Sequence, residues 1–160
     1  MSYRVTADLL GVRELNAALA KATTVVNRQL RELVAFGAFS IGSKAKFYAP
    51  VRYGQLRASI HTEGPTGSGA AVQSKVGTDV KHAKWQEFGT GLYGPRRAPI
   101  TPKSKPFLVF KTKDGRWIRT KSVKGTRGRF YFKKAINQTM PQWRDKQREV
   151  LSHIFATLKS

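Results

Sequence analysis

Between Leu15 and Tyr48 the apolar and small residues recur at steps of three or four: Leu15, Leu19, Ala22, Val26, Leu30, Leu33, Gly37, Ile41, Ala45 and Tyr48. That spacing is one continuous helical face. Gly11 stands before it as an N-cap, with Glu14 near the positive end of the helix dipole. Pro50 stops the helix and disfavours it already at Ala49. A helix of about 36 residues is roughly 55 Å long at about 1.5 Å per residue. A globule of 160 residues does not cover that length, so part of the stripe is expected to pack against another copy or another protein. Gly37 and Gly42 each cost about 1 kcal/mol inside a helix, and mark a bend or a close approach by a neighbouring backbone.

The length fits one domain, taken as residues 1–160 with flexible loops at about 63–69 and 89–105. Three Trp, five Tyr and nine Phe argue for a folded core. No apolar run approaches the roughly 18–20 residues that cross a bilayer, so no membrane span is expected, and no membrane partner is assigned. Met1-Ser2-Tyr3-Arg4-Val5 lacks the apolar centre of an export signal, and assembly in a cytoplasm is expected. The absence of cysteine excludes disulfides, zinc ribbons and thiol nucleophiles. The net charge of +21 predicts attraction to a polyanion, whether nucleic acid, an acidic protein ring or a membrane surface.

The rest of the chain reads as α+β. Tyr3 to Ala7 alternates as a short edge strand. Ala49 to Ile60 is a Pro-led turn and a short helical segment leading into a strand from Ala58 to Thr62. Residues 63–69 form a hairpin loop, and Ala70 to Gly77 the partner strand. Residues 95–105 carry Pro95, Pro99 and Pro102 with Arg96, Arg97, Lys103 and Lys105. This composition excludes a helix or a central strand and gives a long basic loop. Phe107 to Phe110 and Arg116 to Thr120 form a hairpin around Lys113-Asp114-Gly115. Phe130 to Leu158 is a second long helix, with Phe132, Ile136, Met140 (or Thr139), Trp143, Val150, Ile154 and Leu158 at helical spacing, kinked or divided at Pro141. The expected architecture is two long helices on one small antiparallel sheet, with the basic Gly/Pro loop projecting.

The stretch Val76 to Gly94 looks like a fastening for that loop. Ala83, Gln86 or Glu87, and Phe88 share a face of a short helix with Trp85 beside them, and Gly89, Gly91 and Gly94 open the loop. Trp85 and Phe88 are expected to plug the core. Glu87 is expected to hydrogen-bond backbone or to pair with a cation.

Chemistry is sparse. His82 lies near Asp79 and Glu87 in sequence, but the spacing matches no zinc signature, and no metal is expected. Ser59 and His61 share a strand face without an orienting acid or an oxyanion hole, so no catalytic residues are assigned. Gly89-Thr90-Gly91 and Gly125-Thr126-Arg127-Gly128 match neither phosphate-loop pattern and read as loop freedom. No cofactor is expected. From Arg96 to Lys134 the only acid is Asp114. Phe107, Phe110, Trp117, Phe130 and Tyr131 among these cations could stack on bases, but the sheet needs Phe107, Phe110 and Trp117 first as core, each worth roughly 1.5–3 kcal/mol when buried.

Two motifs bring these readings together. Ala49-Pro50-Val51-Arg52-x-Gly54-x-Leu56-Arg57-x-Ser59-Ile60 is followed by Val76-Gly77-Thr78, Ala83 and Glu87-Phe88-Gly89-Thr90-Gly91. In this order they resemble the gene-product-ten-like family of siphophage head-to-tail joining and tail-completion proteins, to which the minor tail protein Z of phage lambda is similar. The resemblance spans about residues 9–136. It departs at Tyr53, at Phe130-Tyr131-Phe132 and in the length of the basic loop. It implies a structural virion protein of the neck, not an enzyme, forming a ring that joins the head connector or adaptor to the tail-terminator or tail-tube proteins. The first helix would pack between subunits, and Arg96, Arg97, Lys103 and Lys105 would pair with acidic residues of the next ring. The rival reading is a basic module that contacts the DNA backbone.

Overall fold

The computed structural model describes residues 12–68, 71–112 and 114–159. The expected strand at Tyr3 to Ala7, the Gly11 cap and Lys113 lie outside the described residues, as do the side chains of Leu15, Leu19 and Leu158. The elements are α1 (Val12–Tyr48), α2 (Gln55–Ser59), β1 (Ile60–Thr66), β2 (Gln73–Thr78), α3 (Ala83–Phe88), a 3-10 turn (Gly91–Tyr93), β3 (Leu108–Lys111), β4 (Trp117–Thr120) and α4 (Tyr131–Lys159). No described helix is long and apolar enough to cross a membrane.

The class is α+β with long helices near both ends, as the periodicity predicts. The strands form two antiparallel two-stranded sheets, β1–β2 and β3–β4, where one sheet is expected. β1 also runs through Glu63-Gly64-Pro65, expected as loop, and Ala58 and Ser59 belong to α2. Pro65 is tolerated because each strand of a two-stranded sheet is an edge, where a missing N–H breaks no second ladder. In the other hairpin Leu108 pairs with Thr120 and Phe110 with Ile118. Gly115 turns the chain there at φ +80°.

The chain divides into two compact units. One combines the described part of Met1–Ala38 with Glu63–Lys75 and Met140–Ser160. Its core is Leu33, Val150 and Ile154, with Val26 and Trp143 packed against them. Gly37 is required here because a Cβ would lie 2.7 Å from Cδ1 and Nε1 of Trp143. The close approach is thus an indole ring, where the sequence suggests a backbone. Arg31 donates from Nη1 to the Gly67 carbonyl (2.7 Å) and from Nη2 to the Pro65 carbonyl (2.8 Å), clamping the end of the β1–β2 hairpin.

The second unit comprises Phe39–Thr62 and Val76–Thr139. Its core is Ala45, Ala49, Leu56, Ile60, Ala83, Tyr131 and Ala135, with Ile41, Tyr48, Val76 and Phe132 against it. Four alanines in seven core positions let helices and loops approach closely. Along α4 the buried line is Tyr131, Ala135 and Thr139, not Phe132 and Ile136 as the apolar spacing suggests. α4 continues through Pro141 as one helix. Lys44 donates to the Gln138 carbonyl at 3.1 Å, next to the Asn137 carbonyl that Pro141 leaves without its helical donor.

Among the described residues of the α1 stripe, Leu33 and Ala45 are buried, and Val26, Leu30, Ile41 and Tyr48 half-buried. The bare apolar residues lie off it, with Phe39 72% and Phe47 76% exposed.

Candidate functional site

The first motif turns the chain out of α1. Ala49 is buried at the helix end, and its N–H bonds the Ala45 carbonyl at 2.8 Å. Gly54, at φ +77°, starts α2, which carries Leu56 into the core. Pro50 is half-buried, while Arg52 and Arg57 face solvent. The Arg52 guanidinium stands 5.2 Å from the centre of the Tyr53 ring.

The second motif meets the first directly. Ser59 Oγ and Thr78 Oγ1 are 2.6 Å apart, and Ser59 Oγ also donates to the Leu56 carbonyl at 2.9 Å. His61 Nδ1 lies 3.1 Å from the Ser59 carbonyl and 3.7 Å from Asp79 Oδ2. Asp79 thus faces His61, not His82. Among the described residues no cluster of three His, Cys, Asp or Glu side chains comes together.

Glu87 is the pivot. It is buried, and its carboxylate accepts the N–H of Phe132 (2.9 Å) and of Lys133 (3.1 Å). These are free donors of the first turn of α4, so Glu87 caps that helix from 45 residues away. The Phe130 N–H bonds the Glu87 carbonyl at 3.1 Å, and Phe130 takes a left-handed φ of +53° to begin the helix. Tyr131 beneath it is fully buried. Burial, and then the Glu87 charge, push its phenol up to about 12.

Behind Glu87 the two Gly-Thr segments lie on each other. The Thr90 N–H bonds the Thr126 carbonyl and the Leu92 N–H the Lys124 carbonyl, both at 2.8 Å. Thr90 Oγ1 accepts the Thr126 N–H at 3.0 Å. A Cβ on Gly89 would stand 2.7 Å from the Gly128 nitrogen and the Thr126 oxygen, and one on Gly91, Gly125 or Gly128 would also strike facing backbone. The glycines read as loop freedom are therefore the condition for two backbones to touch. Beyond them Ile100 and Val123 exchange both backbone hydrogen bonds, at 2.9 and 3.0 Å. Arg96, Arg97, Lys103 and Lys105 flank Ile100 in sequence and are all exposed.

The aromatic residues expected to plug the core do not. Trp85 is 51% and Phe88 53% exposed, because Ala83 and Glu87 occupy the inward positions of α3. Trp117, expected in the sheet core, is 71% exposed, since a lone two-stranded sheet has no second layer to cover it. The Arg119 guanidinium stacks on Phe107 at 3.9 Å.

A family model, “HK97-gp10_like: Bacteriophage HK97-gp10, putative tail-component”, matches residues 13–89. The match supports a gene-product-ten-like phage family. The first motif, the Ser59–Thr78 contact, and the second motif as far as Gly89 fall within the matched residues, while Thr90, Gly91 and α4, which Glu87 caps, lie beyond them. No curated protein and no solved structure matches the chain.

The charge is unevenly divided. The unit holding Glu87 carries twenty Lys and Arg against three acids, Asp79, Glu87 and Asp114; the other carries ten against six. Of those three, Glu87 is committed to backbone, Asp79 faces His61, and Asp114 lies 3.7 Å from Arg116. Among the described residues, Arg96, Arg97, Lys103 and Lys105 have no acidic partner within the chain.

Proposed function

We infer that this chain is a structural phage protein of the neck or tail, completing the joint between head connector and tail, and that it is not an enzyme. The observation that carries this reading is the family match over residues 13–89, with its two motifs folded into one core. The cationic unit supports it, because so uneven a charge is relieved by an acidic neighbour. In this reading Arg96, Arg97, Lys103 and Lys105 pair with acidic residues of an adjoining ring. Glu87 and the glycines at 89 and 91 hold the base of their segment, and the turn from Pro50 to Arg57 sets the end of α1. The ring forms from copies of this chain with the first helix packed between subunits, where Phe39 and Phe47 are exposed. The kinship with the minor tail protein Z of phage lambda belongs to the same reading.

The experiment is complementation of a phage whose copy of this gene is interrupted. Wild-type chain should restore joined particles, whereas the variant with Arg96, Arg97, Lys103 and Lys105 all changed to Ala should fold and leave heads and tails apart. Normal joining with that variant would overturn the assignment of the segment.

A second reading, contact with the DNA backbone, is favoured by Lys111, Arg116, Arg119 and Lys121 beside the bare Trp117 ring on one hairpin. It predicts affinity for duplex DNA that falls with salt at a slope of about −0.9 per phosphate contacted.

A further inference from the structure

An open groove of about 850 Å³ lies on the cationic unit, between the Gly77–Phe88 stretch and the first turns of α4. Its walls are the half-exposed rings of Trp85 and Phe88 on one side and Phe132 and Ile136 on the other. Ala83 and Tyr131 form the buried floor. Three exposed ammonium groups stand on the rim, Lys81, Lys84 and Lys133. Two carboxylates also line the groove: Glu87, buried and bonded to two backbone amides, and the exposed Asp79, 3.7 Å from His61 Nδ1, so the cations outnumber the acids by three to two.

We propose that this groove receives an acidic amphipathic segment of a second protein, whose apolar side chains lie between the aromatic walls while its carboxylates pair with Lys81, Lys84 and Lys133. Charge decides the occupant. A second copy of this chain would bring a surface rich in Lys and Arg to a Lys rim, and like charges across an interface are repelled. A nucleic acid would meet walls with room for large apolar side chains but only three cations. An acidic strip with apolar residues at helical spacing satisfies both wall and rim, as in other grooves that take an amphipathic helix. The proposal rests on the reading of the chain as one part of a larger assembly, and gives one neighbour its chemistry. The groove is distinct from the segment carrying Arg96, Arg97, Lys103 and Lys105.

The test uses the purified full chain and a fluorescein-labelled synthetic peptide with Leu and Glu at helical spacing. A scrambled peptide of the same composition is the control. Binding is followed by anisotropy at raised salt, where the general attraction of a cationic protein is screened. The ordered peptide should bind at least about tenfold more tightly than the scrambled one. Trp85→Ala with Phe88→Ala should weaken it by about tenfold, and so should Lys81→Glu with Lys84→Glu. Lys103→Glu with Lys105→Glu alters net charge equally outside the groove and should change affinity by less than about twofold. Because the four groove positions are exposed, unchanged circular dichroism is expected for every variant. Equal binding of the scrambled peptide, equal weakening by the Lys103/Lys105 pair, or displacement of the peptide by a single-stranded oligonucleotide would each overturn the proposal. Particle joining is not measured here, so failure of the peptide assay leaves the virion assignment standing, and failure of complementation leaves the groove standing.

Discussion

The carboxylate of Glu87 accepts the amide of Phe132 at 2.9 Å, which closes α3 onto the start of α4 across 45 residues of sequence. Removing it leaves two first-turn amides without their acceptor in a buried site. A hydrogen bond to a charged group is worth about 1.5–3 kcal/mol, and a lost cap about 1 kcal/mol. Glu87→Ala should therefore destabilise the fold by about 3 kcal/mol, and Glu87→Gln, which keeps one acceptor oxygen, by about half as much. Urea midpoints of the two variants against wild type check this ordering.

Tyr131 gives the fold an alkaline limit. Burial first, and the Glu87 charge second, raise its phenol from the ordinary 10.0 to about 12. A group whose folded value is raised favours the protonated, folded form. Its contribution is whole below pH 10 and disappears as the pH rises through 12. Stability should fall between those limits. Tyr131→Phe should flatten that part of the profile, as measured by thermal melts at each pH.

Gly37 tests the core of the other unit. Alanine would recover about 1 kcal/mol of helix propensity. Its Cβ, however, would stand 2.7 Å from two atoms of the Trp143 ring, a large side chain packed on Leu33, Val150 and Ile154. Overpacking of this kind costs about 1–3 kcal/mol, so the net change should be destabilising. The indole emission should shift as the ring is displaced; a more stable Gly37→Ala with unchanged emission would contradict the packing.

Two glycines with similar backbone signs should behave differently. Gly54, at φ +77°, has open space where a Cβ would go. Gly54→Ala then carries only the left-handed penalty of about 1–2 kcal/mol. Gly89, at φ +81° and ψ −178°, occupies a region nearly confined to glycine and faces the Gly128 and Thr126 backbones. Gly89→Ala should cost about 3 kcal/mol or more. Parallel thermal melts of the two variants decide it.

These contacts also show why some of the protein is legible in its sequence and some is not. The span of α1 follows from the Leu and Ala spacing and from Pro50, both local signals. The tie between Ser59 and Thr78 joins two motifs that sequence order already pairs. Glu87 is visible as a carboxylate in want of backbone donors, and the helix from about Phe130 is visible too, but no local pattern links the two across 45 residues. Gly89 and Gly125 look the same in a flexible loop and in a backbone contact, because only the facing strand of chain distinguishes them. Trp85, Phe88 and Trp117 mislead for a related reason. Aromatic content suggests a core, yet alanines occupy the inner positions and leave the rings outside.

The place proposed for this chain is in the virion, where head meets tail. The most direct measurement of that placement is the protein content of particles separated into heads, tails and joined virions. The chain should be present in joined virions at a fixed copy number suited to a ring, and scarce in unjoined heads. Its absence from every class of particle would contradict the account.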